Sequence, residues 1–269
     1  MIIQHNIAAI NSYRNLGTNQ SALSKNLEKL SSGYKINRAG DDAAGLAISE
    51  SMRSQINGLN QAVNNANDAI GLIQTAEGAL TETHAMLQRM TTLATQSANG
   101  TYNSVARSNL EVELGRLKQE IDRIATATNF NGITLFEDGG SFSFQIGPTA
   151  SEQLKLSSAD MTQTGITIDG IAVSEQSAAS AAIGTIKTAI DTVSKYRAEL
   201  GAAQNRLEHT INNLKVTSEN ITAAESRIRD TDMADEITAF TKNNILLQAS
   251  QSMLAQSNSV PQSVLSLLS

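Results

Sequence analysis

Apolar residues in this chain recur at alternating steps of three and four. The longest run is Ile183, Ile186, Ile190, Val193, Arg197, Leu200, Gln204, Leu207, Ile211, Leu214, Ser218, Ile221, Glu225 and Ile228. A 3.5-residue period held so long predicts one helix packed on others, roughly 69 Å at about 1.5 Å per residue. Its polar members, Arg197, Gln204, Ser218 and Glu225, point to a specified register. A second run through Met52, Ile56, Leu59, Val63, Ala66, Ile70, Ile73, Leu80 and Leu87 predicts a helix from about 43 to 99. The Asn99-Gly100 turn ends it, and a third helix follows over about 104–128, with Leu110, Leu114, Leu117, Ile121 and Ile124 on one face. So short a connection makes those two helices antiparallel neighbours.

Both ends are also amphipathic. Ile7, Ile10, Leu16, Leu23, Leu27 and Leu30 mark a helix closing at Gly33, a C-cap. Met233, Ile237, Phe240, Asn244, Leu247, Gln251 and Leu254 mark the last helix. Pro261 is expected to interrupt it, leaving Val264, Leu265, Leu267 and Leu268 beyond. In between, 130–136 and 142–147 alternate at period two around Asp138-Gly139-Gly140, which predicts one or two β-hairpins. Residues 153–171 are polar and weakly β. The fold class is therefore mainly α, an elongated antiparallel helical bundle or coiled coil with a small β-hairpin region. Two lone terminal helices make a thin core, so their stripes are expected to be buried against other copies of the chain. Head-to-tail contacts that do not close generate filaments.

Composition narrows the chemistry. Aromatics are 3% of 269 residues and Trp is absent, so the cores are aliphatic and Ala-rich. The net charge of −6 comes with no basic block, which argues against nucleic acid. There is no Cys, hence no disulfide or thiolate site. No apolar run approaches membrane-spanning length, and the first residues do not read as a secretory signal peptide. His5, His84 and His209 lack metal-ligand spacing, and Asp41 or Asp42 reads as a helix cap. Neither a phosphate-binding glycine motif nor a framed nucleophilic serine occurs. No cofactor, metal site or enzymatic activity is expected.

Two long stretches carry a resemblance. NLEKLSSGYKINRAGDDAAGLAISESMRSQINGL (26–59) and IQTAEGALTETHAMLQRM (73–90) resemble the N-terminal signature of bacterial flagellin. The stretch from Gly201 to Asn258, which includes ESRIRDTDMADEITAFTKNNILLQASQSMLAQ, resembles its C-terminal signature, and FQIG (144–147) resembles the end of its β-hairpin segment. The chain is similar to a minimal, core-only flagellin lacking the variable outer domain. The resemblance implies a structural subunit that polymerises into the flagellar filament for swimming motility. An alternative is a hook–filament junction protein, which shares the terminal signatures. A chemoreceptor-like signalling hairpin is a more distant reading, and the β segment argues against it.

The resemblance also implies a domain plan. Residues 1–42 and 229–269 would form the filament inner core, disordered in the free monomer. Residues 43–228 would form a rod, with a β-hairpin region at about 130–172. Core assembly would rest on Ile7, Ile10, Leu16, Leu23, Leu27, Leu30, Ile237, Phe240, Leu247, Leu254, Val264 and Leu268. It further implies extracellular placement through flagellar type III export, a flagellin-specific export chaperone, and contacts with cap and junction proteins. The vertebrate Toll-like receptor for flagellin would read Arg89, Leu93, Gln96 and Glu113. Thr91 and Thr92 stand where that motif often carries Arg and Glu.

Overall fold

A computed structural model describes residues 6–136 and 140–268, with side chains placed through Pro261. Among the described residues five helices dominate: α1 (Ile7–Ser32), α2 (Ala43–Ala98), α3 (Ser104–Ala127), α4 (Gln176–Arg229) and α5 (Met233–Leu268). Four short strands lie between α3 and α4: β1 (Asn129–Phe130), β2 (Ile133–Thr134), β3 (Ser141–Gln145) and β4 (Gln153–Ser157). The chain divides into two compact units, residues 57–218 and residues 1–56 with 219–269.

In the 57–218 unit, α2, α3 and α4 bury one aliphatic core. Ile73, Leu80, Leu87, Met90 and Leu93 come from α2, Leu114 and Ile121 from α3, and Ile186, Val193, Leu200 and Leu207 from α4. The seam on α4 is displaced from the expected one. Its buried row runs Ala182, Ile186, Ala189, Val193, Tyr196, Leu200, Ala203, Leu207. Arg197 and Gln204 lie beside that row, not in it. The heptad admits two phases here, and packing selects small Ala189 and Ala203 because they let α4 lie close to its neighbours. Arg197 reaches Glu77 across the flank, at 3.5 Å. Buried Tyr196 donates its hydroxyl to the Ser157 carbonyl, at 3.2 Å, and burial pushes its phenol above the usual range. It therefore stays protonated, and a donor, at neutral pH.

Local chemistry sets the ends of these elements. Asp42 caps α2, accepting the Gly45 N–H at 2.9 Å, while Asp41 accepts the Asn37 and Arg38 N–H groups. Those backbone donors hold the Asp41 carboxyl below its usual value. Asn103 caps α3 through the Ala106 N–H. Gly33 ends α1 with φ +75° and its N–H on the Lys29 carbonyl, as expected of a C-cap.

Of the one or two hairpins expected, two form. β1 and β2 pair through Asn131-Gly132, with φ of 50° and 80°, the positive pair that a two-residue turn matching strand twist requires. β3 pairs with β4, in the polar, weakly β stretch, and not with the earlier Phe run. The pattern is ambiguous because β4 shows apolar residues only at Leu154 and Leu156. Asp138-Gly139 lies outside the described residues. The irregular segment 158–175 is tied to α2 and α3: Lys118 Nζ donates to the Asp169 and Ile171 carbonyls, Glu111 accepts the Val173 N–H, and Ser97 donates to the Val173 carbonyl. Met161, Ile166, Ile168, Ile171 and Val173 bury beneath it, so this stretch is part of the core.

Candidate assembly surface

The unit of residues 1–56 and 219–269 is built on α1 packed antiparallel against α5. Its seam alternates apolar and polar positions. Leu16, Leu23 and Leu30 alternate with Ser12, Asn19 and Asn26 on α1, and Phe240, Leu247 and Leu254 alternate with Asn243, Ser250 and Ser257 on α5. All twelve are buried or half-buried. Asn19 Nδ2 donates to Ser250 Oγ at 2.8 Å, and buried Asn26 lies against Phe240 and Asn243. Lys29 and Glu236 face each other at 3.9 Å. Six of the expected assembly residues, Leu16, Leu23, Leu30, Phe240, Leu247 and Leu254, thus meet inside one chain.

The other four described ones point outward. Ile7 is 63% exposed, and Ile10, Leu27 and Ile237 are each more than half exposed. Val264 and Leu268 lie outside the residues whose side chains are described. The structure adds Tyr13, Ile245, Leu246, Met253 and Val260, all exposed and none expected from the heptad. Tyr13 lies on α1 off the expected stripe, and the other four escape the heptad because α5 is apolar on more than one side, so a single seam absorbs only part of its apolar residues. The true seam steps from Phe240 to Asn243 and Leu247, which leaves Gln251 and Met233 exposed.

One sequence signal does mark this surface. Between 6 and 24 the only charged residue is Arg14, and between 243 and 261 there is none. The outer half of the pair is therefore a nearly uncharged surface studded with large aliphatic side chains. Exposed aliphatic side chains grouped in this way are uncommon on the surface of a monomer. Lack of charge suits contact with identical copies, because like charges brought together across a repeated interface cost several kcal/mol.

At the other end of the pair the chain crosses twice, at 33–42 and 230–232. Tyr34 and Asp230 form an antiparallel bridge, supported by Lys35 N–H to Arg229 O at 2.6 Å and Thr231 N–H to Gly33 O at 3.0 Å. Arg229 holds the crossing together. Its guanidinium lies 4.8 Å over the Tyr34 ring and reaches Glu50 at 2.8 Å and Ser49 Oγ at 3.3 Å. A cation over an aromatic face, nearly out of water, is worth about 1–2 kcal/mol.

The receptor residues expected on α2 and α3 fall into two groups. Arg89 and Glu113 pair on the surface at 2.7 Å, and Gln96 is partly exposed. Leu93 is 0% exposed and belongs to the core, so its side chain supports that surface from beneath and does not present itself there.

Two family models match the chain. Residues 3–140 match the bacterial flagellin N-terminal helical region, and residues 183–268 match the bacterial flagellin C-terminal helical region. The chain is 49% identical over 303 aligned positions to the flagellin of Bacillus subtilis, covering all of both chains. It is 51% identical to the flagellin of Halalkalibacterium halodurans over 271 positions, again covering all of both. That second alignment barely exceeds the 269 residues of this chain, so the short form has a full-length counterpart. A crystal structure of Bacillus cereus flagellin, at 32% identity, covers 60% of this chain and 94% of its own, with a TM-score of 0.52.

Proposed function

The chain belongs to the bacterial flagellin family, and from that membership we propose how its surfaces divide between assembly and recognition. It is a structural subunit that polymerises into the flagellar filament, in the short form without an outer domain. The relatives give no support to the junction-protein alternative. The α1–α5 pair forms the inner core of the polymer, and Ile7, Ile10, Leu27, Ile237 and Ile245 become buried against neighbouring subunits. The nearly uncharged, aliphatic outer half of that pair, which holds Ile7, Ile10 and Ile245, is the observation that carries this reading. The 43–228 region forms the surrounding layer. Function lies in geometry, and no reaction is catalysed.

The subunit reaches the cell exterior through flagellar type III export. Before export, a flagellin-specific chaperone covers the apolar face of α5. Cap and junction proteins meet the same terminal helices at the ends of the filament. The Toll-like receptor for flagellin reads the Arg89, Gln96 and Glu113 surface, which Leu93 supports. Arg89→Ala is expected to lower receptor signalling several-fold while filament yield is unchanged, because an exposed pair contributes only about 0–1 kcal/mol to folding. A reporter-cell assay alongside a sedimentation assay checks this. Undiminished signalling would remove Arg89 from the surface.

A further inference from the structure

Pro261 does not interrupt the last helix: α5 runs through it to Leu268. Proline has no N–H, and its ring crowds the carbonyl four residues earlier. The carbonyl so deprived is that of Ser257. A half-buried carbonyl left without a donor is destabilising. In this structure the donor comes from the other helix: Asn6 Nδ2 lies 2.8 Å from Ser257 O. The oxygen of the same amide caps α1, accepting the Ala9 N–H at 3.1 Å. One side chain thus uses both ends of its amide, one for each helix.

This matters because the seam repeats. Leucines and small polar residues recur every seven positions on α1, and nearly the same order recurs on α5. Sliding one helix by seven residues would again set apolar rows and polar rows against each other. The repeat alone fixes the register weakly. The Ser257 carbonyl breaks the repeat. After a seven-residue slip Asn6 would face the Ser250 carbonyl, which lies in uninterrupted helix and already accepts the N–H of residue 254. We infer that Asn6 is a positioning residue for the free end of the terminal pair, setting the register there, beyond the Tyr34–Asp230 bridge, by supplying the hydrogen bond that Pro261 withholds. The inference concerns packing within one chain and stands apart from the filament reading.

A mutant cycle tests it. Asn6→Asp keeps the capping oxygen but replaces the donor with a second acceptor, and a carboxylate is favourable at a helix start. Pro261→Ala returns an N–H to Ser257. The chain has no Cys, so paired cysteines report register without background. Asn19→Cys with Ser250→Cys reads the observed register; Asn19→Cys with Asn243→Cys reads the slipped one. Intrachain disulfide yields are compared on denaturing gels, in the soluble chain and in polymer. Asn6→Asp is expected to reduce the native-to-slipped ratio about tenfold, as expected for one lost hydrogen bond. Pro261→Ala is expected to reduce it similarly, and the double variant no further, since both remove the same bond. Asn6→Ser, a good cap too short to bridge, repeats the arm if the Asp variant does not fold. An unchanged ratio in the Asn6 variants, or effects that multiply in the double variant, would overturn the inference. Failure of the parent chain to form filaments would count only against the filament reading.

Discussion

A chain ending at Asp232 is expected to form no filaments at concentrations at which the full chain polymerises. Removing 233–269 deletes α5, and with it the partner of Leu16, Leu23 and Leu30 and the exposed Ile237, Ile245 and Met253. Left alone, α1 is an isolated amphipathic helix of 26 residues, a length at which helicity depends on packing. The 57–218 unit should survive, because every residue of its buried cluster lies between Ala66 and Ile211. Electron microscopy reads the first outcome. Circular dichroism with a cooperative thermal transition reads the second. Filaments from the truncated chain would remove the terminal pair from assembly.

Leu93→Ala carries the largest expected effect on folding. Leu93 is fully buried among α2, α3 and α4, so truncating it removes transfer free energy and leaves a cavity, about 2–5 kcal/mol together. For a unit of this size that lowers the Tm by roughly 4–20 °C, readable by calorimetry. Arg89→Ala, one turn away on the exposed side, should change Tm little. The contrast separates two roles within the proposed receptor surface. If Leu93→Ala weakens receptor signalling, the loss should follow the fraction unfolded, whereas Arg89→Ala should act on a fully folded chain. A Tm unchanged by Leu93→Ala would mean the side chain is not packed.

Much of the helical plan is legible because 3.5-residue periodicity survives in the residues themselves. The bounds of α2 and α3 follow from apolar spacing, from the Asn99-Gly100 turn, and from the scarcity of proline. The terminal signatures carry the family resemblance in their residues alone. Phase is harder to read than period. On α4, Arg197 and Gln204 fit the heptad of aliphatic residues, yet Tyr196 and Ala203 occupy the buried row, because alanine adds little hydrophobicity to a pattern while permitting close helix approach. On α5 the apolar residues serve two faces at once, and one seam cannot account for both.

A mostly helical chain, amphipathic and nearly uncharged at its ends and akin to filament-forming flagellins, follows from the order of residues. These are properties of local periodicity and composition, and each residue carries its share of them. Which side of each helix packs inside the chain, and which remains for other copies, is settled by the folded arrangement. So are the pairing of β3 with the weakly patterned β4, the burial of Leu93, and the placing of Asn6 at the carbonyl that Pro261 leaves open. Those outcomes depend on contacts between residues as many as 251 positions apart. No local pattern encodes such a contact, because the free energy that selects it belongs to the pair and appears only once both helices are in place.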